Sequence, residues 1–368
     1  MYSCPLSHAA LLRPYKWPGG KARNCTGPAG AGRIRLAIPG PGPVADSRSE
    51  ARPDPRYDPP LRVERQHAAM STSNIAKLLL LAAIWGTSFM LMRIAAPVFG
   101  PMLTTFGRAS LATLALLAFA RSRGVRMQWR RNWLPYLVIG LSNTALPFAL
   151  FAWSALHIPS SYMATMNSLA PVFTAVFGFL LLGERLTAVR LGAFVLGLAG
   201  VAVLVGIGPV PADGMVIAGV LAAMGAAVSY GFAATFTRMR GGGISPIAIA
   251  AGSQFAASVC LLPFALPGLP HAFQAGTLNA VLAVLVLGVV CTGIAYALFF
   301  QLISAEGATK AITVTFLVPM TASLWAWLLL DEPVTVGTVA GIAIVLVATA
   351  TALRAKPAPA RVSGKASA

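Results

Sequence analysis

Charged side chains are scarce in this chain, in which Asp, Glu, Lys and Arg make up only 10% of the 368 residues. A soluble domain carries about 25% of these residues, so the shortage excludes an ordinary globular enzyme. Apolar residues make up 57% of the chain, and the mean hydropathy is +0.74. This composition is typical of a membrane protein, because a helix needs about 20 apolar residues to cross a hydrocarbon core about 30 Å thick.

Acidic residues are the scarcest charges, with 10 Asp and Glu against 28 Lys and Arg. None of them lies deep in an apolar stretch, so the sequence offers no buried carboxylate for a proton relay. Glu184 and Glu332 each follow an apolar stretch, and Thr187 and Thr335 come shortly after them as candidate helix N-caps. An acid near a helix N-terminus complements the helix dipole. We therefore interpret both glutamates as capping residues rather than as proton carriers.

Cysteine and histidine are also sparse, with four residues of each type. The cysteines show no CxxC spacing, so neither a metal site nor a disulfide framework is indicated. The histidines lie in the N-terminal tail or in predicted loops, and no HExxH, GxSxG or phosphate-loop motif is present. The sequence therefore predicts no catalytic residues, no metal site and no cofactor, and we do not expect an enzyme.

Residues 1–69 lack apolar runs and contain 11 Pro, 7 Gly and 11 Lys or Arg. Such a composition cannot bury a core and predicts disorder, and it lacks the apolar stretch of a signal peptide. Two interpretations stay open. Either the start site is set too early and Met70 is the true initiator, or the segment is a basic tail that contacts anionic lipid. Residues 354–368 form a second tail that we also expect to be disordered.

From Asn74 onward the sequence predicts an all-α polytopic membrane protein with short connections between its helices. Ten predicted transmembrane helices cover residues 75–96, 101–120, 134–153, 159–182, 190–208, 215–235, 246–266, 278–300, 309–330 and 335–353. The turn-rich segment 208–214 divides these helices into two groups of five. The expected units are therefore residues 74–208 and residues 215–353.

The two groups of five helices match each other at several positions. At a shift of 145 residues the matching pairs are Trp85 and Tyr230, Gly86 and Gly231, and Arg93 and Arg238; at a shift of 148 they are Pro171 and Pro319, Glu184 and Glu332, and Thr187 and Thr335. An odd number of spans in each copy makes the second copy enter the membrane from the opposite side. The pattern therefore predicts two inverted repeats, which are common in secondary transporters.

Basic residues cluster in the predicted loop 121–131, which contains five Arg. If this loop is cytoplasmic, most other Lys and Arg residues of the short loops are cytoplasmic too. Only Arg93 then lies at the outer end of a predicted helix. This distribution follows the positive-inside rule and predicts that both termini are cytoplasmic. The net charge of +18 is spread over short loops and a tail, so we expect membrane lipid rather than nucleic acid as a partner.

Pro171 and Pro319 lie inside predicted spans, where a proline removes one helix hydrogen bond and frees the carbonyl four residues earlier. The freed carbonyls belong to Asn167 and Thr315, which are both polar. Thr165 and Thr313 lie two residues before them. Transporters use interrupted helices to hold solutes near the membrane midplane, so these residues are candidate solute ligands. The alternative is a packing kink that a neighbouring Ser or Thr satisfies.

Arg108 lies seven residues into the second predicted span, about 10 Å along the helix. A charge at that depth is costly and indicates function, and it could attract a carboxylate or phosphate of a solute. The alternative is a side chain that snorkels outward or bonds backbone carbonyls. The remaining solute-binding candidates are the aromatic Trp85 and Tyr230, each beside a glycine that permits close helix approach, and the polar Asn143, Gln254 and Tyr296. The alternatives are lipid contact or core packing for the two aromatics and hydrogen bonds between helices for the polar residues.

These motifs make the chain resemble the EamA-type transporters of the drug/metabolite transporter superfamily over residues 74–355. The resemblance rests on Trp85-Gly86-Thr87-Ser88-Phe89, on Arg108, on Leu169-Ala170-Pro171 with Leu182-Gly183-Glu184-Arg185-Leu186-Thr187, and on Val318-Pro319 with Asp331-Glu332-Pro333-Val334-Thr335. It implies an inner-membrane carrier with a cavity between two inverted halves; most members export metabolites, amino acids or drugs. Small relatives couple transport to protons through a glutamate in their first helix, which this chain lacks.

We therefore predict a secondary transporter of the inner membrane that moves a small polar or amphipathic solute outward by alternating access. Energy must come from an ion or solute gradient, because the sequence has no ATP-binding motif. Alternative hypotheses are an importer of the same solutes, an intramembrane enzyme or lipid-handling protein, and a non-transporting scaffold. The expected partners are the solute and membrane lipid, and a homodimer stays open.

Overall fold

The computed structural model describes residues 70–270 and 278–354. The predicted tails, residues 1–69 and nearly all of 354–368, lie outside these residues, as does His271. Within the described part the chain is helical and contains no β-strand. The prediction of an all-helical chain is confirmed there.

Nine helices carry the fold within the described residues, in addition to a single turn at Ala308–Ala311. They are α1 (Thr72–Ser122), α2 (Trp129–Ser154), α3 (Ser160–Leu182), α4 (Ala188–Gly206), α5 (Gly214–Arg240), α6 (Pro246–Gly268), α7 (Leu278–Glu306), α8 (Val314–Leu330) and α9 (Val336–Arg354). All except α8 are long and apolar enough to cross a membrane. The α8 helix is equally apolar but shorter.

The α1 helix consists of two arms that meet at Gly100. This residue has φ 75° and ψ 160°, a conformation that glycine adopts easily because it has no Cβ. Pro101 begins the second arm, where a proline suits the first turn of a helix. Residues 72–99 and 101–122 therefore correspond to the first two predicted spans.

The turns after α3 and α8 have the same local geometry at positions 148 residues apart. Gly183 and Asp331 both adopt the left-handed conformation, with φ 66° and 53°. The following turns end on N-cap threonines: Thr187 accepts a hydrogen bond from the N–H of Arg190 (3.3 Å), and Thr335 from that of Thr338 (3.2 Å). The predicted capping by these two threonines is confirmed.

Two glycines let α1 and α5 pack closely on α8 and α3. A Cβ at Gly86 would lie 2.8 Å from the backbone nitrogen of Ala322, and one at Gly231 would lie 2.8 Å from that of Thr174. Thr321 strengthens the first contact by donating a hydrogen bond to the Ala82 carbonyl across the helix interface (2.8 Å). The close approach predicted from these glycines is confirmed.

Candidate functional site

Arg108 is held between α1 and α7 by the close packing of these helices. A Cβ at Gly288 would lie 2.9 Å from the Arg108 carbonyl oxygen, and one at Gly293 would lie 2.7 Å from the Ala115 side chain. Small residues at these two positions allow α7 to run against the second arm of α1. As a result the Arg108 side chain is buried, with only 7% of the residue exposed.

The Arg108 guanidinium contacts three side chains. Its Nε donates to the Thr292 hydroxyl (3.1 Å), and one Nη lies 3.8 Å from the Met92 sulfur. Its central carbon lies 3.7 Å from the centroid of the Phe148 ring, a cation–π geometry. Arg108 therefore stays inside the helix bundle, so the alternative that it snorkels outward is wrong.

Among the described residues Arg108 has no carboxylate partner. The acidic residues of this part all lie at helix ends or in connections: Glu184, Asp213, Glu306, Asp331 and Glu332. The ion pairs among the described residues are formed by Arg93, Arg190, Arg238 and Lys310 instead. The titratable side chains near the guanidinium are instead Tyr230, Tyr296 and Cys291.

Four helices bring polar side chains together around this arginine. Asn143 of α2 donates a hydrogen bond from Nδ2 to the Tyr296 hydroxyl of α7 (3.2 Å). Asn143 and Thr292 both lie in π-helical segments, Leu141–Ala145 and Val286–Ile294, which often occur at functional sites. We call the set of Arg108, Asn143, Tyr230, Thr292 and Tyr296 the Arg108 cluster.

A cavity of about 410 Å³ lies next to the Arg108 cluster. Asn143 and Tyr296 line it together with Ser253, which follows Arg108 by 145 residues, the shift that relates the first pairs of the two copies. Thr237 and Gly241 line its other side, so the cavity reaches the point where α5 ends and α6 begins. Tyr296 therefore belongs both to the cavity wall and to the surroundings of Arg108.

Gln254 of α6 is almost completely buried, with 1% of the residue exposed. Its Oε1 atom has no hydrogen-bond partner among the described residues, and neither does the buried hydroxyl of Thr144. An unpaired buried acceptor costs about 1–3 kcal/mol, so water or a solute would be expected to satisfy these atoms. Among the described residues, no group of three or more His, Cys, Asp and Glu is arranged to hold a metal ion.

The proline-associated candidates form a separate junction between α3 and α8. The α3 helix is interrupted at residues 168–169, just before Pro171, as the sequence indicated. Pro319, in contrast, lies inside a continuous α8, and the second interruption falls earlier, at residues 312–313. The break in this part of the chain therefore lies six to seven residues before Pro319, whereas the break in α3 lies two to three residues before Pro171.

Hydrogen bonds occupy the polar groups around Pro319. The Thr315 carbonyl, which this proline leaves unpaired, accepts from the Ser168 hydroxyl of α3 (3.3 Å). The same hydroxyl also lies 3.1 Å from the Ala164 carbonyl, so its proton is shared between them. The hydroxyls of the neighbouring candidates already bond carbonyls of their own segments: Thr165 to Ser161, Thr313 to Lys310, and Thr315 to Ile312. This arrangement agrees with the packing alternative at α8.

The remaining candidates lie near the two groups already described. The Trp85 ring packs against Phe299 of α7, with ring centroids 5.3 Å apart. Asn167 is half-buried at the end of the first segment of α3. Phe148 and Met92, which contact Arg108 directly, gave no signal in the sequence because apolar residues are common in every span.

Arg93 and Glu332 join three helix ends in one hydrogen-bonded network. Arg93 Nε lies 2.9 Å from Glu332 Oε1, and an Nη of Arg93 donates to the Ile158 carbonyl (2.6 Å). The Glu332 carboxylate also accepts from the backbone N–H (2.9 Å) and the hydroxyl (3.1 Å) of Ser160, the first residue of α3. Glu332 therefore caps α3 instead of the helix that follows it.

Glu184 forms the matching network at the end of α3. One oxygen lies 2.7 Å from Arg238 of α5, and the other lies 3.2 Å from Arg190 of α4. Burial alone would raise the pKa of the Glu184 carboxyl, but hydrogen bonds and charges from Arg238 and Arg190 outweigh it and hold this pKa below its usual value. The expectation that Glu184 acts only as a cap is therefore corrected: it joins three helices through ion pairs.

Comparison with known proteins places these features in a family. A Bacillus subtilis protein named "Uncharacterized transporter YvbV" is 27% identical over 272 residues, covering 73% of this chain and 88% of the relative. A protein of Streptantibioticus cattleyicolor named "Probable terminal-alkyne amino-acid exporter" is 25% identical, covering 69% of this chain and 84% of the relative. "Protein PecM" of Dickeya dadantii is 24% identical, covering 68% and 82%.

The fold also matches that of a protein solved by crystallography, with a TM-score of 0.52 and 20% identity. The match covers 77% of this chain and 98% of that chain. The model of the EamA-like transporter family matches twice, at residues 73–206 and 217–354. This chain, a multi-pass membrane protein with a repeated domain, belongs to the EamA-like transporter family.

Proposed function

We propose that this protein is a secondary active transporter of the inner membrane that exports a small polar or amphipathic solute by alternating access. Two inverted repeats of five helices would cross the membrane ten times, with both termini in the cytoplasm. The observation that carries the proposal is an exchange of ion pairs between matching positions of the two copies. The relative from Streptantibioticus cattleyicolor, named as an exporter, supports the direction.

The length of α1 supports ten crossings. A straight helix of its 51 residues would be about 77 Å long at 1.5 Å per residue, more than twice the roughly 30 Å of a hydrocarbon core. The interruption at Gly100 allows its two arms to cross separately. With α2 to α9 this gives ten crossings, and five in each copy make the second copy inverted.

The ion pairs fit this inverted relation. Arg93 matches Arg238, and Glu184 matches Glu332, yet each arginine pairs with the glutamate of the other copy. A pseudo-twofold axis between the copies would produce this exchange, and it would place the two pairs at opposite faces of the membrane. The same relation accounts for the two glycine contacts, Gly86 on α8 and Gly231 on α3.

These contacts suggest how access alternates. The cavity beside the Arg108 cluster reaches the helix ends near Arg238, the predicted cytoplasmic face, while the Arg93 network ties the helix ends at the opposite face. Opening the outer side requires the Arg93–Glu332 pair to separate. A partly exposed ion pair contributes only about 0–1 kcal/mol, so a change of this size is accessible to a transporter during its cycle.

Solute counterflow in liposomes tests the proposed function. Purified protein should exchange labelled solutes that a tolerance screen with overexpressing cells identifies, and the exchange should saturate. Inside-out membrane vesicles that accumulate the same solute would establish export, whereas accumulation in right-side-out vesicles would show import. Absence of exchange, together with unchanged labelling of α3 and α8 in the presence of solute, would contradict a transporter and support a scaffold.

A further inference from the structure

We propose that the solute is an organic monoanion whose carboxylate binds Arg108, with an apolar or aromatic body that occupies the neighbouring cavity. This inference rests on the proposed transport function and names its substrate class. It is carried by a buried guanidinium without a carboxylate partner among the described residues, next to an open cavity. Each step depends on contacts within the Arg108 cluster and the cavity wall.

The charge at this site favours one negative charge on the solute. A buried, uncompensated cation is costly, and the cost falls when an opposite charge pairs with it. The side chains that contact the guanidinium, Thr292, Met92 and Phe148, carry no charge that would compensate it. A monoanion would neutralise the site, whereas a phosphate dianion would leave a buried negative charge.

The guanidinium has donors available for a carboxylate. Of its five N–H groups, one bonds the Thr292 hydroxyl and one points to the Met92 sulfur at 3.8 Å. The sulfur is a weak acceptor, so a carboxylate can displace it at little cost. Two parallel N–H donors suffice for a bidentate carboxylate bond, and Phe148 holds the guanidinium plane from one side.

The cavity provides room for the rest of the solute. Its volume of about 410 Å³ falls in the range of about 300–1,000 Å³ that is usual for small-molecule sites. Ile139, Ile249 and Phe300 give it an apolar wall, and Asn143 and Tyr296 form the polar end next to Arg108. Arg108 itself does not line this cavity, so the head group of the proposed solute passes Asn143 and Tyr296 to reach the guanidinium while its body stays against the apolar wall.

A panel of compounds with one aromatic body and different charges tests the assignment. We would measure binding to the detergent-purified full chain for N-acetylphenylalanine (monoanion), N-acetylphenylalaninamide (neutral), phenylalaninamide (cation) and phenyl phosphate (dianion). The monoanion should bind at least about tenfold more tightly than the neutral amide, as expected for a hydrogen bond to a charged group. If the monoanion binds no more tightly than the amide, or if phenyl phosphate binds more tightly, the assignment is wrong.

Substitutions locate the effect at Arg108. Arg108→Gln should weaken binding of N-acetylphenylalanine about 10- to 100-fold and leave binding of the amide unchanged. The affinity of Arg108→Lys for N-acetylphenylalanine should lie between those of wild type and Arg108→Gln, because lysine keeps the charge but loses the bidentate geometry. Arg123→Gln, at an exposed loop residue, is the matched control and should bind as the wild type does. Equal losses for monoanion and amide in Arg108→Gln would contradict a carboxylate contact.

The panel on wild-type protein stays decisive if the Arg108 variants fail to fold. Failure of this assignment is also distinct from failure of the transport function. Counterflow of the amide or the amine without counterflow of N-acetylphenylalanine would support a transporter and overturn the carboxylate assignment. Selective binding of N-acetylphenylalanine without any counterflow would support the Arg108 site and overturn transport.

Discussion

Arg108 lies on the Phe148 ring because a guanidinium inside a hydrocarbon interior loses its water shell and has few groups to replace it. The ring face carries negative charge density, which compensates part of that loss. Thr292 supplies one hydrogen bond, but the cluster contains no acid that would cancel the charge. At this residue, stability and the proposed function depend on the same side chains.

Phe148→Leu should destabilise the protein by about 2–4 kcal/mol, the sum of a desolvated cation–π contact and a cavity in a packed region. Thermal or denaturant unfolding in detergent measures the change. Phe264→Leu is a suitable control, because Phe264 is 65% exposed on α6 and should change stability by less than about 0.5 kcal/mol. Equal losses in the two variants would contradict the contact with Arg108.

Glu184 gives a pH-dependent prediction. Its carboxyl has a lowered pKa in the folded protein, so its stabilisation is present above the unfolded pKa of about 4.3 and is lost as the pH falls through the folded pKa. Glu184→Gln should therefore be less stable than wild type at pH 7, and the difference should shrink as the pH approaches 3.

Melting temperatures of the wild type and of Glu184→Gln at pH 7 and pH 3 test this pH dependence. Asp331→Asn replaces an exposed carboxylate in a left-handed turn that asparagine also tolerates, and it is the matched control for the loss of one negative charge. A stability difference between wild type and Glu184→Gln that stays constant with pH would contradict the ion pairs with Arg190 and Arg238.

The sequence identified some of these residues and missed others for a physical reason. Arg108 stood out because a charge inside an apolar span is expensive wherever it points. Phe148 and Met92 did not, since an apolar residue in a span gives no sign of whether it faces lipid, packing or a ligand. The partners of Glu184 and Glu332 were hidden for another reason: ion pairs between distant helices depend on how the helices assemble.

At the scale of elements, close helix contacts depend on single glycines. Gly86→Ala should destabilise the protein by about 1–3 kcal/mol, because the new Cβ would meet the α8 backbone at Ala322 N, 2.8 Å away. Gly192→Ala on α4 is the matched control: its Cβ would have nothing within 4 Å, and the better helix propensity of alanine should make the change neutral or slightly stabilising. Unfolding in detergent measures the stability of both variants, and similar changes in stability would argue against the α1–α8 contact.

The helices themselves follow the hydropathy of the chain, which is why the predicted spans and the observed helices have similar ends. Interruptions were harder to place. Gly100 breaks α1 between two predicted spans, as a glycine followed by a proline suggests. Pro319 does not interrupt α8. The carbonyl of Thr315 that it frees accepts from Ser168 of α3, and no local pattern predicts a hydrogen bond across 147 residues.

At the scale of the whole molecule, the proposed inverted arrangement would give the two ion pairs different roles. The Arg93–Glu332 pair would close the outer face, and the Arg238–Glu184 pair would stabilise the inner one. The repeat could be inferred from matching residues and the odd number of spans. The exchange of partners could not, since it requires that the copies face each other and not merely follow one another along the chain.

Arginine substitutions at the two matching positions should therefore shift access in opposite directions. Arg93→Gln weakens the outer network and should increase labelling of Cys291 by a membrane-impermeant maleimide added outside. Cys291 precedes Thr292, which bonds Arg108, and it is only 1% exposed, so its labelling reports opening toward the site. Arg238→Gln should increase labelling from the cytoplasmic side instead, as measured in inside-out vesicles.

Both variants would be made in a background with Cys4, Cys25 and Cys260 replaced by Ser, so that Cys291 is the only thiol. Loss of one partly exposed pair contributes about 1 kcal/mol or less, which shifts a two-state equilibrium by up to about fivefold and should change the labelling rate by a similar factor. An increase from the same side in both variants would show that the two pairs do not lie at opposite faces. That result would contradict the inverted repeat, on which the proposed alternating access depends.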